Sequence, residues 1–369
     1  MRDEGKKTSV EESYYVASQW KLMWRKLIKH KLAIFGGIIL AIFYFIAIFC
    51  EFLSPYDIYE GRVEYIYCPP QRIHFFDEKG FHFRPFVYEV KQTMDPETWR
   101  RTYIEDKTKK YSLYFFLQGE KYKLWGLFET EMHLFGVKEG TIFLFGTGKL
   151  GRDLFSRNLY AARISLSIGL IGVALSFLLG SILGGISGYY GGTADMIIQR
   201  VIELLISIPT IPLWMSLAAA LPPDWPPLKV YFGITVILST IGWCGLARVV
   251  RGKLISSREE DFAMAAKIAG AREGRIITRH LLPSFLSYLI VNLTLAVPFM
   301  ILGETALSFL GIGLRPPVVS WGTLLQDAQN VRTVVLHLWL MIPGLFVIVI
   351  VLAFNFLGDG LRDAADPYK

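Results

Sequence analysis

Reactive and metal-ligating side chains are scarce in this 369-residue chain, which has 3 cysteines and 6 histidines. Cys50, Cys68 and Cys244 form no CxxC pair and no metal-like spacing, so neither a zinc ribbon nor a dithiol redox centre is written here. Two of them lie in apolar runs, where cysteine serves as a small buried hydrophobe. No Ser–His–Asp set and no paired carboxylates converge, which speaks against an enzyme. A phosphate-binding loop is lacking too. GTGKLG, Gly146 to Gly151, matches GxGxxG in letters. A dinucleotide site, however, needs a strand before it, a helix after it and an acid about twenty residues further on. Nor is it a Walker A loop, because Leu150 stands where Ser or Thr is required. The chain is therefore expected to bind no nucleotide or metal itself. No cleavable signal stands out: the first apolar run follows a long polar tail and is expected to remain as an anchor.

Apolar surface is abundant instead. Hydrophobic residues make up 53% of the chain and aromatics 14%, too much for an ordinary soluble domain. Charges fall in blocks between uncharged runs near Leu32–Phe52, Ile164–Tyr190, Ile197–Leu221, Val230–Ala247, Phe285–Leu310 and Val334–Leu357. Each approaches or exceeds the roughly 18 to 20 residues that cross a hydrocarbon core as a helix. With no water there, the backbone must satisfy itself internally, so six helices are expected.

The net charge of +7 is unevenly spread. Lys21, Arg25, Lys26, Lys29 and Lys31 precede the first run, and Arg248, Arg251, Lys253, Arg258, Lys267, Arg272, Arg275 and Arg279 lie between the fourth and fifth. The positive-inside tendency then places the N-terminus, the 248–283 loop and, after six crossings, the C-terminus in the cytoplasm. The segment Ser54–Asn158 falls outside. Its stretches RVEYIYCPPQRIHFF, FHFRPFVYEV and YSLYFFLQG alternate aromatic or β-branched with polar residues, as short strands do. In the tail, Tyr14–Leu32 reads as an amphipathic interfacial helix, with Trp20, Met23, Trp24 and Leu27 on one face.

Inside the expected membrane region, Gly180, Gly184, Gly188 and Gly192 repeat at GxxxG spacing. Such a strip lets another helix approach closely, within the subunit or across a subunit contact. Pro209, Pro212, Pro298 and Pro343 bend or break helices where neighbours re-satisfy the backbone. Glu203, Glu304 and His337 are costly in lipid and are expected to face the interior or lie near an end. Glu304, with Pro298 and Ser308 on the same run, is the best placed to line a path; a structural hydrogen bond is the alternative.

The loop after the fourth run, DFAMAAKIAGAREGRIITRHLLPSF, is helix-compatible, broken by Gly270 and stopped by Pro283. Ala263, Ala266, Ala269 and Gly270 share one side at helical spacing, smooth enough to fit a groove of a soluble partner. Arg272, Arg275 and Arg279 form a basic stripe beyond the glycine, which acidic lipid headgroups would also attract.

AMAAKIAG followed by AREGRIITRHLLP resembles the "EAA" signature of importer-type ABC permeases, with Ala265, Ala266, Gly270, Leu282 and Pro283 at signature positions. The resemblance continues in GTGKLGRDLFSRNLYAARISL, GETALSFLGIGLRPPVVSWGTLL and PGLFVIVIVLAFNFLGDGLRDAADP. Together these blocks resemble the C-type permease subunit of the dipeptide/oligopeptide/nickel subfamily. Met264 departs from it, standing where the signature has Glu, and the exterior insert is longer than usual.

The resemblance implies an all-α polytopic membrane protein with the six-helix type I ABC importer permease fold, to which the alternating pattern adds a small β-rich exterior insert between the first two spans. Its parts would be a cytoplasmic tail (1–31), a first transmembrane helix (32–53), the insert (54–158) and a five-helix permease domain (159–369). Asp261, Met264, Ala265, Ala266, Ala269, Gly270, Arg272 and Pro283 would form the ATPase-coupling site. The implied partners are a second homologous permease, two ATP-binding subunits that use ATP-Mg, and an exterior substrate-binding protein, all at the plasma membrane. Peptides are the first expectation for the solute, with oligosaccharide or nickel as alternatives. An ATPase-independent channel or a membrane-anchored receptor is a more distant reading.

Overall fold

Glycine sets how the longest helices meet. The computed structural model describes residues 19–365 except 79, 95 and 97–100, and of 19 and 20 only the backbone. Helix α1 is Gln19–Lys29, α2 Lys31–Ile48 and α3 the short Cys50–Leu53. After the insert come α4 Leu154–Tyr190, α5 Gly192–Ser207, α6 Thr210–Ala219 and α7 Pro227–Ser257. They are followed by α8 Asp261–Ile268, α9 Leu286–Phe309, α10 Trp321–Gln326, α11 Val331–Leu336 and α12 Ile342–Ala365.

The glycine strip of α4 lies on α7 of the same chain. A Cβ at Gly184 would sit 2.5 Å from the Ala247 carbonyl oxygen, and one at Gly188 2.7 Å from that of Arg251. The strip is therefore spent on packing within the subunit. Contacts along this seam advance together. Tyr231 donates to Ser167 (3.0 Å) and Ser239 to the Gly172 carbonyl (3.1 Å), and then come the Gly184 and Gly188 pairs. The two helices thus run parallel. Parallel neighbours need a connection that returns the whole way, about 30 Å from the level of Gly188 to that of Ser167 at 1.5 Å per residue.

In that return, over the run Ile197–Leu221 with its expected proline bends, the chain is broken outright at Pro209. α5 and α6 are bent by 90° at the break between them. Ile208 (φ −87°, ψ 132°) and Pro209 (φ −56°, ψ 127°) are both extended. A residue before proline is pushed out of the α region, and proline donates no hydrogen bond to bridge the gap. Among the described residues, five helices are long and apolar enough to cross a membrane, or six spans if the bent pair is one.

α9 runs against α4, its Ile301 and Val297 filling the space over Gly169. α12 runs against α2, where a Cβ at Gly36 would meet the Ala353 carbonyl and one at Gly360 the Ala33 side chain. The start of α2 and the ends of α4, α7 and α12 therefore share one end of the bundle. At the other end the Arg163 guanidinium caps α2. It donates to the carbonyls of Ala47 (2.7 Å) and Ile48 (2.9 Å) and forks onto Glu51 at 2.5 Å, satisfying carbonyls the helix end leaves open.

α1 is a separate helix, since His30 breaks the chain and its side chain accepts from the Ala33 amide (3.2 Å). Met23 is buried and Trp24 exposed, so the apolar stripe read from sequence is divided between the bundle and the outside. Tyr14 to Ser18 and the side chain of Trp20 lie outside the described residues.

The insert is a four-stranded antiparallel meander: β1 His74–Asp77, β2 Gly80–Met94, β3 Arg101–Leu124 and β4 Phe128–Val137. Val87, Leu113, Phe135 and Ile142 form its core, with Phe155 of α4 beneath. Most of RVEYIYCPPQRIHFF is not strand: Val63–Tyr65 is a 3-10 turn and the prolines Pro69 and Pro70 keep the next residues out of the sheet. β4 was not among the strand-like stretches read from sequence. The GTGKLG loop is clasped by 61–68. Arg62 and Tyr67 donate backbone bonds to the carbonyls of Gly151 (3.3 Å) and Gly148 (3.2 Å). At Gly151, φ is +66° and a Cβ would lie 1.9 Å from the Arg62 carbonyl oxygen. These glycines serve close loop contact. The loop leads into Asp153, which caps α4 by accepting from the Ser156 amide (2.7 Å) and whose carboxyl burial pushes up to about 6.

Gly184→Leu should separate α4 from α7, costing about 1–3 kcal/mol by overpacking and lowering the midpoint of thermal unfolding in detergent. Gly245→Ala, on α7 where no described atom lies within 4 Å of the added carbon, should leave the midpoint unchanged.

Candidate functional site: the projecting loop between α7 and α9

α8 has two faces, divided differently from the expectation. Ala263 is buried, and with Ala266 and Ala271 it packs on Val250, Leu254, Ile276, Leu281, Phe285 and Leu289. The smooth alanine side therefore faces the chain's own bundle. The opposite face carries Asp261, Met264, Ala265 and Ile268, spaced i, i+3, i+4, i+7 and all exposed. Ile268 is 83% exposed and Met264 46%. With Phe262 also exposed, these side chains form a contiguous bare apolar patch, the kind of surface that marks an interaction site.

Gly270 ends α8. Its φ is +78°, its amide bonds the Lys267 carbonyl (3.0 Å), and the next amide, of Ala271, bonds that of Ala266 (3.1 Å). This pair of bonds is the Schellman stop, which needs a left-handed residue. No described atom lies within 4 Å of a Cβ built there, so conformation rather than space selects glycine. Ala269 just before it, and Arg272, Arg275 and Arg279 beyond it, are exposed. Ile276–Leu281 forms a π-helical turn in which Leu282 donates to the Ile277 carbonyl. The exposed Pro283 follows without an amide proton, and α9 starts three residues on.

The base of the loop is clamped by residues that sequence reading missed. Arg251 holds Asp195 with two bonds, Nε–Oδ1 at 2.6 Å and Nη2–Oδ2 at 2.7 Å. Ser187 also donates to Asp195, and Gln199 donates to Ser187 (3.1 Å). Arg258 reaches the Tyr189 carbonyl (3.4 Å). The ends of α4 and α7 and the start of α5 are thus tied at the root of α8. The one signal was a lone acid just after the Gly191-Gly192 pair, and nothing in the sequence named its partner.

The residues expected to line a path line no open space in this chain. Glu304 and Ser308 are fully buried and Pro298 is buried too. Glu304 accepts hydrogen bonds from Ser320 (2.6 Å), Ser308 (2.7 Å) and Ser165 (3.2 Å). Ser165 accepts from the Trp321 amide (3.2 Å), Ser308 from the Leu314 amide (3.0 Å), and Ser320 caps α10. The carboxyl knots α4, α9 and α10 together, which is the structural alternative. His337 stacks on Tyr67 of the insert, centroids 4.3 Å apart. Glu203 is paired with Arg200 (2.7 Å) on the exposed side of α5.

Apolar helices in a bundle, one of them broken, with a rooted amphipathic loop projecting from one end, have the make-up of a polytopic membrane protein. Residues 176–368 match the family described as "Binding-protein-dependent transport system inner membrane component", and residues 18–70 match "N-terminal TM domain of oligopeptide transport permease C". The chain belongs to the former family, and is thus a permease subunit of an inner-membrane transport system. It is 33% identical to the dipeptide transport system permease protein DppC of Alkalihalophilus pseudofirmus, over 97% of this chain and 92% of that one. It is 41% identical to DppC of Bacillus subtilis, over 60% of this chain and 68% of that one. Against the oligopeptide transport system permease protein OppC of Haemophilus influenzae the identity is 41%, over 60% and 70%. A chain of the MetNI methionine ABC transporter, in an inward-facing conformation, superposes loosely, with TM-score 0.44 and 16% identity over 57% of this chain and 97% of that chain.

Glu304→Ala should orphan three buried hydroxyls and cost about 3 kcal/mol, seen as a lower unfolding midpoint. Glu304→Gln should recover most of it. Uptake per folded protein should stay unchanged in the Gln variant, whereas a path-lining role would lower uptake at full stability.

Proposed function

We propose that this chain forms one half of the translocation path of an ATP-driven peptide importer and takes its drive from an ATPase docked on α8. The names of its relatives support di- or oligopeptides as the solute. The observation that carries the coupling assignment is the outward face Asp261, Met264, Ala265 and Ile268 on a helix whose inner face is rooted on α7 and α9. Force on that face reaches the membrane helices through Ala263, Ile276 and Leu281. The family supports ATPase and permease partners. In our reading these are one further permease, two ATP-binding subunits that hydrolyse ATP-Mg, and an exterior binding protein. The chain itself performs no chemistry.

The parallel seam of α4 and α7 supports counting the bent pair as a crossing, which makes six. The basic loop 248–283 then faces the cytoplasm with both termini, and 54–158 lies outside. The 159–369 segment is the permease domain, beginning within the first turns of α4. The exposed Arg200–Glu203 pair lies about 12 Å along α5 from Gly192. An ion pair at that depth is not left facing lipid, so this side of the bent pair faces the path or the second permease. It takes the role that sequence assigned to Glu304.

Ile268→Asp should leave the unfolding midpoint within experimental error, as surface substitutions do, and lower co-purification of the ATP-binding subunit and peptide uptake about tenfold or more, the scale of a lost hot spot. Unchanged co-purification and uptake would refute docking on this face. Met264→Glu should assemble and transport as well as the parent. Gly270→Val should weaken α8 by about 1–2 kcal/mol through its left-handed backbone, and Gly270→Asn by less.

A further inference from the structure

The insert ends in an apolar tip that its own sheet leaves bare. Between β3 and β4 the chain reads Lys123-Leu-Trp-Gly-Leu-Phe-Glu129. Leu127 is 75% exposed and Phe128 61%, and Trp125 is exposed beside them. Lys123 and Glu129 pair directly behind the tip (3.3 Å), so charge stops where the apolar residues begin. The tip is also fixed in place. The Trp125 indole donates to the carbonyl of Ile48 (2.8 Å), the last residue of α2. Its ring meets Phe49 at 5.8 Å, and Phe49 meets Phe45 at 4.8 Å. Trp125 sits at φ +54°, a conformation a bulky side chain adopts only where surroundings impose it.

An aromatic ladder therefore runs from inside the first span to the tip, and its outer members are continuous with bare apolar side chains of α2, Phe45 and Ile48. Those α2 side chains lie at the end of a membrane-crossing helix. A tryptophan at that level, with its ring apolar and its N–H satisfied, matches the preference of indole for the membrane–water boundary. We propose that Trp125–Phe128 is a second membrane anchor, seated in the interfacial zone of the leaflet beside the outer end of α2. The occupant of this surface is lipid, at the boundary of headgroup and acyl chain. Seating the tip holds the insert against the bilayer at a fixed tilt, and so fixes the orientation of the sheet that projects from the membrane. The inference rests on the reading of α2 as a span.

The test uses the full chain in lipid nanodiscs. Cys50, Cys68 and Cys244 are all buried, so Leu127→Cys can be labelled selectively with an environment-sensitive fluorophore. Ile42→Cys, at an exposed mid-span position of α2, serves as the reference. We expect the Leu127→Cys probe to lose fluorescence to lipids spin-labelled close to the headgroup and to be shielded from iodide, and the Ile42→Cys probe to be quenched by deep labels. If the Ile42→Cys probe is quenched and the Leu127→Cys probe is open to iodide, the tip stands in water and the anchor is refuted. Shielding of the Leu127→Cys probe from both quenchers means that protein covers the tip and equally overturns lipid seating. Failure to quench the Ile42→Cys probe removes the span itself, and the anchor with it.

Discussion

The close contact of α4 with α7 is the constraint on which the rest of the bundle hangs. Carbonyl oxygens of Ala247 and Arg251 occupy space that a side chain on Gly184 or Gly188 would need. Helices this close exchange dispersion contacts along their backbones, where lipid offers no hydrophobic drive to association. Because the seam is parallel, everything between Tyr190 and Pro227 must travel back across the bundle. The bent pair α5–α6 is the consequence. Its partial exposure follows too, since the inner face of α4 is already taken by α7 and α9.

The same seam explains where polar groups are tolerated. At the loop end, Arg251 is the α7 residue whose backbone packs on Gly188, and its side chain reaches Asp195 at the start of α5. At the insert end, Ser165 near the start of α4 reaches Glu304 on α9. These two acids inside the bundle are each matched by donors or an opposite charge from a different helix, as burial demands. These polar ties specify relative height along the helix axes, which apolar packing alone leaves free to slide.

Much of this was legible from sequence. Charge-free runs marked the helices, GxxxG marked the seam, and alternation marked β2 and the middle of β3. What was lost shares one physical cause. Periodicity says which residues share a side, not which way that side turns. Ala263 and Ala266 read as a partner-fitting strip, yet a strip that fits a partner and one that fits the parent core have the same spacing. Ile276 and Leu281, further along the chain, decide the matter by folding back onto it. Glu304 is a similar case: an acid in an apolar run signals a polar surrounding, and three serines provide one as well as a water-filled path does. The Pro209 break was visible as a proline, but a run of apolar residues carries no information on direction, so the 90° turn was not. β4 was hidden because Glu129 and Glu131, poor strand formers, open it and interrupt the alternation.

A coupling element, the role proposed for α8, must be stiff along the line of force and compliant elsewhere, and the packing divides in that way. From α8 the contacts pass through Ala263 and Leu254 to α7, and through Leu281 and Leu289 to α9. α7 is locked to α4 by the glycine seam, and α9 to α4 by Met300 and Ile301 over Gly172 and Gly169. α8 therefore cannot shift far alone, since closely packed interiors transmit displacement rather than absorb it. α5 and α6 differ. They join through two extended residues without a helical hydrogen bond across the break. α5 is held to the rigid triplet at its start by Asp195 and along its length by Ile198, Ile202 and Leu205 against Trp243, Cys244 and Ala247, and α6 farther on by Trp214 against Gly303. A rotation of the triplet thus pulls the two halves of the bent pair at separate points. The compliance lies at Ile208–Pro209, on the segment that carries the exposed Arg200–Glu203 pair. Motion imposed at α8 would accordingly be expressed there as a change in the angle between α5 and α6.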